Sequence, residues 1–481
     1  MPPTTTDSLA REGRLRSIYD VRTADTPRTA CQVEGAMPPW LTGTLLRNSV
    51  TRFDVGAGRV PHLFDGLAML HAFTVGDGGV TYTARMLDTA DRRSRAAEDR
   101  VTLAGFAVDP CRSRFQRFMQ LFKPALSDNA NVNIARLGDE FLALTELPMP
   151  IAFDPETLET LGVSHALPPS PGKVAHTTAH PLPDAATGEL VHYMTRFGPR
   201  SQYEVHATRA DSNRRLAKLG VREPSYMHSF GLTDRHVVLH ENALVVNPLD
   251  LARARAPFIQ NYRWKPELGS RLHLFDRATG EHRGVWETDA AFCFHHVNTF
   301  EDGDETVVDM VVFDDPTIID ELYLDHLDDD TRIRPQNRVR RLRLAPGGKV
   351  VADETLYGGE SFELPRIDDA QAAGRPYRYT FATGFLPDGP GADPSLLRID
   401  LERGEAARWQ AAGQIPGEPV FASAPDAREE GDGVVLSVVL DTTSDRSYLL
   451  VLDGRTFEEI GRAWAPQAVP LSFHGSFFST D

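Results

Sequence analysis

DRATGEH (276–282) is a short polar stretch between LHLF and RGVW. It places an Asp before a small turn carrying Thr and Gly, with a further strand beyond, as a β-hairpin tip does. The same device recurs at DPETLET (154–160), DAATGEL (184–190) and DGRTFEE (453–459). Between such tips lie β-rich segments: GVTYTARML (79–87), EFLALTE (140–146), LVHYMTRFG (190–198), RHVVLHENALVV (235–246), ETVVDMVVF (305–313), RVRRLRL (338–344), GVVLSVVLDTT (433–443) and SYLLVLD (447–453). They are rich in Val, Thr, Tyr and Phe, and several alternate in polarity, which predicts strands. Any large β protein has many turns. The device, however, runs from residue 154 to 459 with no Gly/Ser linker, which favours one radial array, a β-propeller, over separate sandwiches. No strict repeat is visible, so periodicity does not count the blades.

Helical signal is sparse. In DPCRSRFQRFMQLFK (109–123), Phe115, Phe118, Met119 and Phe122 fall on one stripe, with Arg112, Arg114, Arg117 and Lys123 beside it. Two readings stand: a helix whose stripe packs on the sheet, or a basic amphipathic helix at a membrane surface or an apolar entrance.

The chain has 481 residues and a net charge of −17, with no basic surplus to displace counterions from nucleic acid, so no nucleic-acid partner is expected. Hydrophobic and charged fractions of 41% and 25% are globular values. Three cysteines without a CxxC exclude a thiolate zinc site and predict a reducing, cytoplasmic setting. The polar N-terminus reads as a loose arm up to Thr26, ahead of a single propeller domain over 27–481, and no apolar run is long enough to span a bilayer.

With thiolates excluded, a metal needs His or carboxylate ligands. Sixteen histidines are available. His228, His295 and His296 lie ahead of apolar strands, His180 in HTTAHP before a hairpin turn and His474 in VPLSFHGSF near the C-terminus. A lone His at an apolar strand end is more often a hydrogen-bonded core residue than a ligand. Their distant spacing matches no local motif such as HExxH. A propeller could still bring inner strands of distant blades to one axis.

TAHP (178–181), YMHSFGLT (226–233), FHHVNTFED (294–302) and SFHGSF (472–477), in this order, resemble the carotenoid cleavage oxygenases. So do GTLLRN (43–48), FDGLAMLHAF (64–73), FELPRID (362–368) and EPVFASAPDAREEGDGVVLSVV (418–439). DPCRSRF (109–115), NVNIARLGDEFLALTE (131–146) and PYRYTF (376–381) look most like the animal-type retinoid and β-carotene branch. The resemblance implies a seven-bladed, all-β propeller, with a few helices and loops capping an axial non-haem Fe(II), one per chain, held by His180, His228, His295 and His474. His176 and His296 are then structural or supporting. It further implies that Glu146, Glu363 and Glu418 pair with His228, His295 and His474 in that order. A carboxylate on the remote N–H fixes the tautomer of a ligating imidazole and raises its basicity. Three such carboxylates would largely balance the ion.

The implied reaction is cleavage by O2 of a double bond in a carotenoid or apocarotenoid, an apolar polyene, giving carbonyl products. Phe64, Phe106, Tyr226 and Phe294 are the expected aromatic lining of a substrate tunnel, and the stripe at 109–123 an apolar patch for peripheral membrane contact. Alternatives are a stilbene-cleaving dioxygenase, a retinoid isomerase using iron as a Lewis acid, and a metal-free scaffold.

Overall fold

The computed structural model describes residues 15–480 except 22, 78, 111–125, 166–174, 185, 254, 330, 333 and 385–392. The expected stripe Phe115, Phe118, Met119 and Phe122 lies outside the described residues, as does most of the helix expected over 109–123.

Seven antiparallel sheets of four to six strands form a seven-bladed propeller. The ring closes twice. The strand Ser472–Ser479 pairs with Gly43–Thr51, joining the end of the chain to the first blade. Gln32–Gly35 pairs with Glu459–Trp464, so the N-terminal segment completes the last blade. Closure of this kind leaves no open sheet edge between first and last blades, where another chain could add.

The Asp turns are hairpin tips. Asp276 Oδ1 accepts the N–H groups of Ala278 and Thr279 at 3.0 and 2.9 Å. Asp154 and Asp453 do the same for Glu156 and Thr157, and for Arg455 and Thr456. Asp400, not singled out from the sequence, repeats it. Four residues after each Asp the chain turns left-handed, and that residue donates its N–H to the Asp carbonyl. The positions are Leu158, Gly188, Gly280, Gly404 and Phe457, with φ between 57 and 72°. Glycine takes this conformation freely, whereas Leu158 and Phe457 take it at a steric cost. Those two substitutions, and the Gly347–Gly348 turn in another blade, hide the repeat from a sequence comparison.

Packing between blades is apolar, with Leu, Val, Ile and aromatic clusters between successive sheets. Above the axis lies a separate aromatic cap that includes Tyr19, Phe53, Leu63, Phe294 and Phe473. From Leu15 onward the chain is docked, which corrects the loose arm expected there. Leu15, Ile18 and Tyr19 are buried in this cap, Tyr19 hydroxyl contacts Asp328, and Ile18 carbonyl accepts the Leu471 N–H at 2.8 Å. Three apolar side chains in a polar segment suffice to dock it. Among the described residues no helix is long and apolar enough to cross a membrane.

Candidate metal centre

Bulges aim the central side chains. The strand Phe292–Asp302 slips register against its partner on both sides of His296, so His295 and His296 do not follow simple alternation. Ser472–Ser479 slips between the partners of Arg47 and Ser49, at Phe473 and His474. Glu363–Arg366 slips at Leu364 and Pro365. An extra residue in one strand redirects a side chain out of the pleat. At each of these three bulges lies a predicted site residue. His180 and His228 come instead from chain outside the strands. Thr178 ties them together, its hydroxyl donating to the His228 carbonyl at 2.7 Å and accepting the His180 N–H at 2.9 Å. Gly475 leaves no room for a Cβ, which would stand 2.1 Å from Leu46 O and 2.8 Å from Arg47 Cδ.

The four histidines converge. One nitrogen from each of His180, His228, His295 and His474 lies within 4.8 Å of every other. Three are pinned from behind in the pairing the family resemblance implied: His228 Nδ1 to Glu146 Oε1 at 2.6 Å, His295 Nδ1 to Glu363 Oε2 at 2.6 Å, and His474 Nδ1 to Glu418 Oε1 at 2.8 Å. A carboxylate partner puts the proton on Nδ1, so Nε2 carries a lone pair. His180 and His228 Nε2 atoms stand 3.0 Å apart, and those of His295 and His474 3.3 Å. The second pair cannot share a hydrogen bond while both rings are neutral. Burial drives His474 down to about 3, and burial together with the other three rings holds His180 well below the usual range. Lone pairs facing one another in a buried place are explained by a cation between them. Two imidazole nitrogens bound at a right angle, about 2.1 Å from one ion, stand about 3.0 Å apart. Four neutral imidazoles suit iron, copper, nickel or zinc rather than magnesium or calcium.

The carboxylates differ in their surroundings. Burial raises Glu146, but His176 and His228 outweigh it and bring the group to about 2. Tyr226 donates its hydroxyl to Glu146 at 3.0 Å, and His176 Nε2 lies 3.2 Å from Oε2 without alignment for a hydrogen bond. Burial also raises Glu418, yet Arg366, Arg47 and His474 hold it far below the usual range. Arg47, itself buried, contacts Oε2, and Arg366 lies 3.4 Å from Oε1. The expected balance of one ion by three carboxylates is thus corrected: two guanidiniums already offset Glu418. Neither arginine was singled out from the sequence, although GTLLRN and FELPRID contain them. A charged residue inside an apolar strand pattern was the available signal, because such a charge must find a buried partner.

A cavity of ≈160 Å³ opens onto the cluster. Phe64, Phe106 and Phe294 line it, with Phe258, Ile318, Leu322, Leu471 and Phe473. Tyr226 does not, which corrects its assignment as a tunnel residue. It is fully buried behind the wall, held there by its hydrogen bond to Glu146. His176 does line the cavity, its ring stacked on Phe258 at 5.5 Å. His296 turns away, sharing a 2.8 Å hydrogen bond with the Ser229 hydroxyl.

The sequence profile of the family described as Retinal pigment epithelial membrane protein matches residues 20–479. A carotenoid isomerooxygenase of Galleria mellonella is 32% identical over 478 residues, covering 92% of both chains. A mitochondrial carotenoid-cleaving dioxygenase of Macaca fascicularis is 30% identical, covering 94% of this chain and 92% of its own. Among solved structures, a mutant of Synechocystis apocarotenoid oxygenase superposes with a TM-score of 0.85 at 23% identity, over 97% of this chain and 98% of that one.

Proposed function

Because this chain belongs to the retinal pigment epithelial membrane protein family, we propose that it is an Fe(II)-dependent dioxygenase that cleaves a double bond of a carotenoid or apocarotenoid with O2. The observation that carries this reading is the convergence of four imidazole nitrogens, three braced by carboxylates, at an aromatic cavity. The names of the relatives point to the same substrates. When bound, ferrous iron supplies the one-electron chemistry that O2 needs to react with a closed-shell polyene.

His180, His228, His295 and His474 would hold the ion. Glu146, Glu363 and Glu418 keep the Nδ1 protons in place, so that the inward nitrogens stay unprotonated. Phe64, Phe106, Phe258, Phe294 and Phe473 present ring edges and faces to the cavity, a surface on which a flat conjugated chain can lie. The same rings exclude water, which suppresses side reactions of a reactive centre. The stilbene reading would call for polar groups holding a phenol.

The aromatic and basic stretch 109–123 supports a peripheral membrane contact, since such substrates partition into lipid. Replacing Phe118 and Phe122 by Ser is expected to weaken co-sedimentation with liposomes, and unchanged partitioning would remove that part of the proposal. The reaction itself is tested by aerobic incubation of iron-loaded protein with β-carotene and with 8′- and 10′-apocarotenals, followed by mass identification of products. Paired carbonyl fragments carrying oxygen from O2 are expected; unchanged polyene, or hydrolysis or isomerisation alone, would refute it.

A further inference from the structure

The three carboxylates behind the imidazoles differ in what they leave unused. Glu146 is engaged on both oxygens, by His228 and by the Tyr226 hydroxyl, which reaches each of them at 3.0 Å. Glu418 is also engaged twice over, by His474 and Arg366 on Oε1 and by Arg47 and the Gly475 N–H on Oε2. Glu363 departs from this pattern. Its Oε2 accepts both His295 Nδ1–H at 2.6 Å and the Leu364 N–H at 3.0 Å. Its Oε1 is buried and has no hydrogen-bond partner among the described residues.

The backbone enforces that asymmetry. Leu364 has φ 57°, a left-handed conformation that a branched side chain adopts only under constraint, and Pro365 follows it. This turn folds the Leu364 N–H back onto the preceding side chain, so two donors fix one oxygen and the carboxylate cannot rotate to share them. The strain falls at the register slip opposite the strand Tyr379–Gly384. Glu363, Leu364, Phe473 and Leu471 all line the cavity beside His295 and His474. An unpaired carboxylate oxygen in such a wall is costly unless a donor reaches it.

We infer that Glu363 Oε1 is a binding point for one hydroxyl donor, a water molecule or an alcohol group on the polyene, held in the cavity beside the four histidines. The alcohol arm rests on the polyene reading above. The test uses binding rather than cleavage, so the two can fail separately. Aldehydes and ethers, which only accept hydrogen bonds, gain nothing at this position.

Glu363→Gln keeps an oxygen for His295 and Leu364 and replaces Oε1 by an amide NH2, turning an acceptor into a donor. Retinol, retinal and retinyl methyl ether share a polyene skeleton and differ at one end. Their binding to metal-loaded protein kept anaerobic is measured by quenching of tryptophan fluorescence, beside a crystal structure of the same protein without probe and a metal analysis. If the donor is an alcohol, wild type binds retinol about tenfold more tightly than either other probe, a single charge-assisted hydrogen bond. Glu363→Gln, kept saturated with metal by excess ion, then loses or reverses that preference. If the donor is water, the three probes bind alike, and the wild-type crystal shows an ordered water about 2.6–3.0 Å from Oε1 that moves or vanishes in Glu363→Gln. Equal binding with no such water overturns the inference, as does an alcohol preference that Glu363→Gln leaves intact. Should the variant fail to load metal, the wild-type measurements alone decide between these outcomes.

Discussion

Two sets of buried histidines can be compared. His62, His71 and His192 sit in the cap and blades, and His228, His295 and His474 at the axis; all six are buried. Burial lowers His62 to about 4 and His71 and His192 to about 3, much as it lowers His474. Neither burial nor neutrality therefore marks a site. The difference lies in what the nitrogens face. His62 accepts the Phe64 N–H at 3.1 Å and donates to the Ile319 carbonyl at 3.0 Å. His71 meets the Tyr82 hydroxyl at 2.7 Å, and His192 the Thr208 hydroxyl at 3.1 Å. Each of these rings has an ordinary partner within its own part of the fold. The axial rings instead face carboxylates on one side and one another on the other. A histidine becomes a ligand candidate when its free lone pair has only other lone pairs for company.

The sharpest way to break this contrast is to remove one ring from each set. His295→Ala or His474→Ala is expected to abolish stoichiometric metal and turnover, whereas His192→Asn is expected to retain one metal per chain and activity within a few-fold of the parent. Metal analysis and product formation on the three purified variants check this, and a fully active His474→Ala would end the distinction. A smaller effect is expected one layer out. Glu146→Gln leaves His228 an acceptor but weakens the charge that fixes its tautomer, so metal affinity should fall about 10–100-fold. Chelator competition reads this; an unchanged affinity would mean that Glu146 serves only packing.

Acidification sharpens the comparison from the other side. His62, His71 and His192 have folded pKa values lowered from 6.5 to about 4, 3 and 3. The unfolded chain then binds more protons as pH falls below 6.5. The stability these groups contribute is present above that value and is lost on the way down to pH 3–4. Between pH 7 and pH 5 each is expected to cost up to about 2 kcal/mol. Urea unfolding of metal-free protein at both pH values measures the loss, and His62→Gln should reduce its slope. The smallest effect is expected on the surface of the last blade. The partly exposed Arg462–Glu459 pair, at 2.7 Å, should contribute no more than about 0.5 kcal/mol. Arg462→Gln should leave the unfolding midpoint and metal content almost unchanged.

Much of this contrast was legible in the sequence, and the parts that were not share a cause. The Asp turns announced hairpins because the Asx cap is local: Asp276 needs only residues two and three ahead of it. Their equivalence from blade to blade was not legible, because Leu158 and Phe457 occupy the left-handed position where Gly280 advertises itself. The histidines were recognisable through flanking motifs, and the Glu partners followed residue by residue. What escaped was long-range compensation. Arg47 reaches Glu418 across 371 positions of chain; its apolar neighbours signal a buried charge, but nothing near it names the partner. Tyr226 was placed on the tunnel wall from its proximity to His228, but proximity in sequence does not give direction. Its hydroxyl is spent on Glu146, which lines the cavity, while Tyr226 itself stays buried behind it. The N-terminal arm failed in the opposite sense: a polar composition concealed three docked apolar side chains.

The central claim is that one ion sits among four imidazoles. Anomalous diffraction at the iron edge from crystals of iron-loaded protein tests it most directly. A single peak about 2.0–2.2 Å from the inward nitrogens of His180, His228, His295 and His474, with no carboxylate oxygen at that distance, is the predicted result. A peak elsewhere, or one that takes a carboxylate in place of any of the four rings, would contradict it.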